Sequence, residues 1–153
     1  MKNLILLFAL TLIFNVSAQE EDMSNLNWLT DLEEAKLISL KEKKPILLYF
    51  TGSDWCAPCK MLKQDFFSTP KFEEKAEKMV LVMVDIPRRL DIISPEQKKI
   101  NMDLVRKYNK NGSYPNLVAL NAKGKVIGEI SGYTFLRETD RHYAFVDSVL
   151  ENY

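Results

Sequence analysis

Cysteine and histidine are scarce in this chain: two Cys and one His among 153 residues. A structural zinc site needs four ligands, and Cys56, Cys59 and His142 fall one short of that number. Two thiolates alone hold copper(I), so a carrier of copper or of a client held as a mixed disulfide stays as an alternative, although no Met-rich or His-rich cluster accompanies the pair. Charge of one sign is lacking too. Lys and Arg number 21, Asp and Glu 21, and no run of basic residues forms a patch for backbone phosphates. Nucleic acid is therefore not an expected partner. No apolar run is long enough to cross a bilayer: the longest, Leu4 to Val16, has about 13 residues where roughly 20 are needed. Internal repeats and low-complexity segments are absent.

That short apolar run has a different meaning. Lys2 precedes it and Val16-Ser17-Ala18 closes it with small residues. A positive start, an apolar stretch and a small-residue end make a secretory signal peptide over residues 1–18. A membrane association is expected only if that segment stays uncleaved. Residues 19–27 read as a loose polar segment, and residues 28–153 as one domain, since 46% hydrophobic residues allow a real core. Export places the domain in an oxidising compartment, such as a periplasm, where disulfides persist. Yet the two cysteines lie three positions apart. A bridge that closes so small a loop removes little entropy from the unfolded chain. It serves badly as a staple and well as a redox switch.

Thr30-Asp31-Leu32-Glu33 has capping-box chemistry and predicts a helix from about Asp31 to Glu42, with Lys41 to Lys44 at its end. Pro45 to Phe50 and Met79 to Val84 are continuous apolar runs, expected as strands buried on both faces. After the cysteines a helical pattern continues to Phe66, Ser68-Thr69-Pro70 breaks it, and a short helix follows over about 71–78. Ser94-Pro95-Glu96-Gln97 opens a helix running to about Tyr108. Two short strands, 115–120 and 125–130, flank the turn Asn121-Ala122-Lys123-Gly124, and a last helix covers about 138–150. This order predicts an α/β sandwich with parallel strands first and an antiparallel hairpin at the edge. Trp28 is expected to pack under the first helix and His142 to be solvated or capping. Tyr133 is expected as packing or rim, and Arg88 and Arg89 as solvated loop charges, with binding of an acidic partner as the alternative.

The chemistry centres on Trp55-Cys56-Ala57-Pro58-Cys59-Lys60, set between a buried strand and a helix. Unpaired N–H groups and the partial positive charge of a helix start favour a thiolate at Cys56. The thiolate is the form that attacks a disulfide. Cys59, one turn further in, resolves the mixed disulfide. Pro58 is tolerated in a first turn that has no N–H bond to lose. Trp55 offers a flat apolar surface beside the sulfur.

With these residues, and with Tyr114-Pro115 ahead of the Asn116–Leu120 strand, the chain resembles the thioredoxin superfamily. It is similar in particular to exported members like the C-terminal domain of transmembrane disulfide reductases. Phe50-Thr51-Gly52-Ser53-Asp54-Trp55-Cys56, Ile86-Pro87-Arg88-Arg89 and Ser94-Pro95-Glu96-Gln97 carry that closer likeness. The resemblance implies a three-layer sandwich around a mixed sheet and a protein thiol–disulfide oxidoreductase with Cys56 as nucleophile and Cys59 as resolving residue. Trp55, Ala57, Pro58 and Lys60 would tune the site. A cis-proline at Pro115 and the Tyr114 backbone would hold an extended substrate. No cofactor beyond the Cys56–Cys59 dithiol is implied, and no metal. Partners would be protein disulfides and a membrane-embedded electron donor, with the protein itself a monomer. The family's buried Asp, which handles the second cysteine's proton, is replaced by Tyr49. Asp85, Asp54 and water remain as acceptors. The Ala-Pro dipeptide stays nearer to reductant motifs than to those of strong oxidants.

Overall fold

The computed structural model describes residues 26–153; the signal-peptide and most of the loose-segment expectations fall outside them. Five strands form one sheet: β1 (Trp28–Leu29), β2 (Ile46–Thr51), β3 (Val80–Asp85), β4 (Asn116–Leu120) and β5 (Val126–Ser131). Their spatial order is β1-β3-β2-β4-β5. β1 and β2 run parallel to β3, while β4 is antiparallel to β2 and β5 to β4. Five helices cover it: α1 (Leu32–Glu42), α2 (Ala57–Leu62), α3 (Pro70–Ala76), α4 (Pro95–Tyr108) and α5 (Asp140–Glu151). A π-helical turn, Lys63–Phe67, prolongs α2.

All six residues of β2 are buried. Side chains alternate across a strand, so β2 feeds two cores. Ile46, Leu48 and Phe50 join Val80, Val82 and Val84 beneath Leu32 and Ala35 of α1 and Tyr108 of α4. Leu47 and Tyr49 join Leu81 and Leu117 beneath Leu62, Phe66, Phe67, Phe72 and Val146, from α2, its π turn, α3 and α5. Helices on both faces make the expected three-layer α/β sandwich.

Several local expectations are corrected. The cap of α1 is Asp31, whose carboxylate accepts the amides of Glu33 (2.7 Å) and Glu34 (3.3 Å), not Thr30. Gln97 does not return to its cap residue Ser94, although its own amide is held by the Ser94 hydroxyl; its side chain donates to the Thr30 carbonyl and to Asn101. Trp28 lies in a strand and packs on Tyr49 and Phe67, on the face away from α1. Leu26 already packs against the same core. His142 is buried, only 2% exposed, between Phe66 and Tyr133. The hairpin turn is as expected: Gly124 has φ +75°, and the Asn121 carboxamide oxygen accepts the amides of Lys123 and Lys125.

Candidate functional site

The register of the sheet fixes what meets at its upper edge. Thr51 pairs with Asp85 and Phe50 with Asn116. The segments that follow β2 and β3 therefore lie beside the one that precedes β4. Those three segments carry the cysteine motif, the Pro87-Arg88-Arg89 loop and Tyr114-Pro115.

Cys56 and Cys59 are joined in a disulfide. Cys56 is the N-cap of α2, and its Sγ accepts the Cys59 amide at 3.2 Å. The sulfur that would become a thiolate thus already sits on one of the helix's unpaired donors. Ala57 and Pro58 form the first turn. Both cysteines are nearly covered, at 3% and 1% exposure, so the bond presents one small face. Beneath it the Tyr49 hydroxyl donates to the Cys59 carbonyl at 3.2 Å, and burial pushes the Tyr49 phenol far above its ordinary value. It is a fixed donor, not a base.

Trp55 organises the rim. Its indole Nε1 donates to the Ile86 carbonyl at 2.8 Å, its ring meets Tyr114 edge-on at 5.3 Å, and Arg88 stacks over it at 5.0 Å. The bond between Tyr114 and Pro115 is cis. The Pro115 carbonyl accepts the Gly132 amide at 2.8 Å, which ties the segment to the end of β5. Gly52 makes room for the indole: a Cβ there would lie 2.2 Å from Trp55 Cε2. Its carbonyl accepts the amides of Trp55 and Cys56, closing the turn before the disulfide.

A clamp between two loops was not legible in the sequence. Asp54 accepts the Arg88 amide (3.0 Å) and the Arg89 amide (2.9 Å). Asp85 accepts both the amide and the hydroxyl of Ser53, at 2.8 and 2.6 Å. Burial raises the Asp54 carboxyl, but the Arg89 and Arg88 amides outweigh it and hold the group below the usual carboxylate range. Both carboxylates named above as proton acceptors for Cys59 are therefore occupied in building the loop. Lys60 Nζ donates to the Asp54 carbonyl at 3.3 Å. Arg89 pairs with Asp91, whereas Arg88 lies on the indole instead of being simply solvated. The only clue in the sequence was the pair of arginines in a loop after a buried strand. Among the described residues no cluster of three or more His, Cys, Asp or Glu is placed to hold a metal ion.

A disulfide-forming Cys-x-x-Cys pair at a helix start, beside an X-cis-Pro segment on a mixed sheet, defines a dithiol protein of the thioredoxin fold. The chain belongs to the thioredoxin-like family, whose model matches residues 27–122. It is similar to the disulfide bond reductase DsbH of Chlamydia pneumoniae, 33% identical over 108 residues, which are 70% of this chain and 63% of that protein. It is also similar to the thioredoxin-related protein DsbJ of Chlamydia pneumoniae, 28% identical over 84% of this chain and 36% of that protein. The chain thus spans less than two thirds of the length of these curated relatives. A solved DsbH oxidoreductase superposes with a TM-score of 0.70 at 30% identity, covering 83% of this chain and 85% of that one.

Proposed function

We propose that this protein is an exported thiol–disulfide exchanger that reduces disulfides of other proteins. The observation that carries the reading is the Cys56–Cys59 bond itself, seated on the first turn of α2 with Cys56 Sγ on the Cys59 amide. In the reduced protein Cys56 is the nucleophile. Its thiolate attacks one sulfur of a client disulfide, the client S–S bond breaks, and the departing client sulfur takes up a proton. Cys59 then loses its proton to water and attacks Cys56. The mixed disulfide breaks, the second client sulfur leaves as a thiol, and the protein disulfide forms; two electrons have passed to the client. Water takes the proton because Tyr49 stands where related proteins keep an acid, and Asp54 and Asp85 are bound to backbone and to Ser53.

Trp55, Ala57, Pro58 and Lys60 tune the site, and the Tyr114 backbone with Pro115 aligns an extended client segment. No cofactor beyond the dithiol takes part. The likeness to a protein called a disulfide bond reductase supports the reducing direction. A reductant in an oxidising compartment must be recharged, so a membrane-embedded donor of electrons is part of the proposal. So is removal of residues 1–18 on export to a periplasm. Among the described residues no helix is long and apolar enough to cross a membrane.

The test is a pair of measurements on protein beginning at Gln19. Cys59→Ser should accumulate covalent client adducts through Cys56 that dithiothreitol releases, and Cys56→Ser should not. Equilibration of the wild-type pair with glutathione buffers should give a potential near the reductant end of the fold, about −270 mV. A value near about −120 mV would overturn the reducing direction. Absence of adducts together with a pair that does not cycle would remove the exchange function altogether.

A further inference from the structure

Arg88 stands at the mouth of this site, and among the described residues nothing accepts a hydrogen bond from its guanidinium. It is exposed, and no carboxylate among the described residues pairs with it, whereas Arg89, Arg106 and Arg137 are each held by an aspartate. Its place is nevertheless fixed. The backbone amide is bound to Asp54, the loop is pinned through Trp55 Nε1 to Ile86, and Lys98 Nζ holds the Pro87 carbonyl at 3.3 Å. The guanidinium lies 5.0 Å from the centre of the Trp55 ring. A guanidinium over an aromatic face is held there by its charge without spending its N–H groups, and that free fork fits a carboxylate with two bonds. Asp54 contributes negative charge nearby, but its oxygens are turned to the Arg88 and Arg89 amides. Lys60 of α2, anchored on the Asp54 carbonyl, adds a second exposed cation beside the same clamp.

Resting on the exchange function proposed above, we infer that Arg88 is a specificity-determining residue that selects clients with an acidic side chain close to the reacting cysteine. Trp55 touches both Tyr114, at 5.3 Å, and Arg88, at 5.0 Å. A client strand laid along the Tyr114 backbone therefore reaches Arg88 within about three residues, at roughly 3.3 Å of rise per residue. An Asp or Glu at that distance meets the open fork. A Lys or Arg there meets Arg88 and Lys60 and is repelled.

The test uses fluorescence-quenched peptide dimers joined by one disulfide, identical except for Glu, Gln or Lys within three residues of the cysteine. Pre-reduced protein is mixed with each, and the second-order rate of single-turnover reduction is compared as a ratio within each variant. For the wild type the Glu-to-Gln ratio should be about fivefold at low ionic strength and should fall toward one in high salt, as a partly exposed charge pair does. The Lys peptide should be slowest. In Arg88→Gln the Glu-to-Gln ratio should collapse to about one; Arg88→Lys should keep part of it; Arg88→Glu should invert the order of Glu and Lys. A general loosening of the loop would slow all three peptides together and leave the ratio intact, and that result overturns the inference. So does a wild type that reduces all three equally, with the exchange function left standing. A wild type that reduces none removes the exchange function, and the inference with it.

Discussion

Gly52 shows how a missing side chain holds a site together. Its position is set by the indole of Trp55, which occupies the space a Cβ would need at 2.2 Å. The same indole carries the bond to Ile86 and the contacts with Tyr114 and Arg88. Gly52→Ala should therefore displace the ring rather than merely stiffen a turn. Overpacking of this kind costs about 1–3 kcal/mol. The expected outcome is a lower urea midpoint together with changed Trp55 fluorescence and slower client reduction. A variant that keeps the wild-type fluorescence would show that the loop absorbs the methyl group and that Gly52 is not what seats the indole. At this scale Cys56 and Cys59 announce themselves by type and spacing, whereas Pro115 is singled out only by the resemblance to the thioredoxin superfamily. The clamp was not readable in the sequence, because a contact from residue 54 to residue 88 leaves no periodic signal in either segment. His142 was misread for a similar reason. One histidine near a helix start carries no pattern, and its burial follows from Phe66 and Tyr133, which reach it from other elements.

The elements divide into those specified locally and those imposed by neighbours. α4 is of the first kind. Ser94 caps it through the Gln97 amide and Pro95 begins it, as the sequence order demands. α1 is specified locally too, but by a different residue than the spacing suggested. Thr30 and Asp31 are adjacent, both are good caps, and a one-residue shift decides between them. The carboxylate wins by bonding two amides at once. Asp31→Ala should lower stability by about 1 kcal/mol, whereas Thr30→Ala should stay within about 0.5 kcal/mol. Equal losses in chemical denaturation would mean that both residues hold the helix start. β1 is of the second kind. Two residues, Trp28 and Leu29, give no alternation to read, and they become a strand because Leu81 and Val82 offer them an edge. The π turn after α2 is likewise invisible in composition. It brings Phe66 and Phe67 into the core and turns Asp65 outward to the Tyr133 hydroxyl and Arg137.

For the whole molecule, the buried histidine makes folding sensitive to mild acid. Burial lowers the His142 pKa, the Arg141 charge adds to that, and the Gly132 carbonyl opposes it without reversing it. Its Nδ1 has no hydrogen-bond partner among the described residues. The folded protein therefore refuses a proton that the unfolded chain accepts near its ordinary value, about 6.5. Stability is whole above that value and falls as pH drops through it toward the lower folded pKa. The measured expectation is a urea midpoint that declines between about pH 7 and pH 5. His142→Phe, which keeps an aromatic ring against Phe66 and Tyr133, should flatten that limb. Asp65, held down by the Arg137 hydrogen bond first, with burial opposing and the Tyr133 hydroxyl helping, titrates in a separate window. Its contribution is present above about pH 4 and fades below it. A wild-type midpoint unchanged from pH 7 to pH 5 would show that His142 reaches water in the native state.

The covering of the disulfide, at 3% and 1% exposure, has a consequence for the compartment in which such a protein works. It acts as insulation. Small thiols and dissolved oxidants meet only a narrow opening, so current between the pair and its surroundings flows slowly, although a long incubation in a redox buffer still brings the two into balance. Fast traffic passes to a molecule shaped to lie along the rim and reach one sulfur. The pair can then remain far from redox equilibrium with the bulk, held there by whichever partners fit the socket.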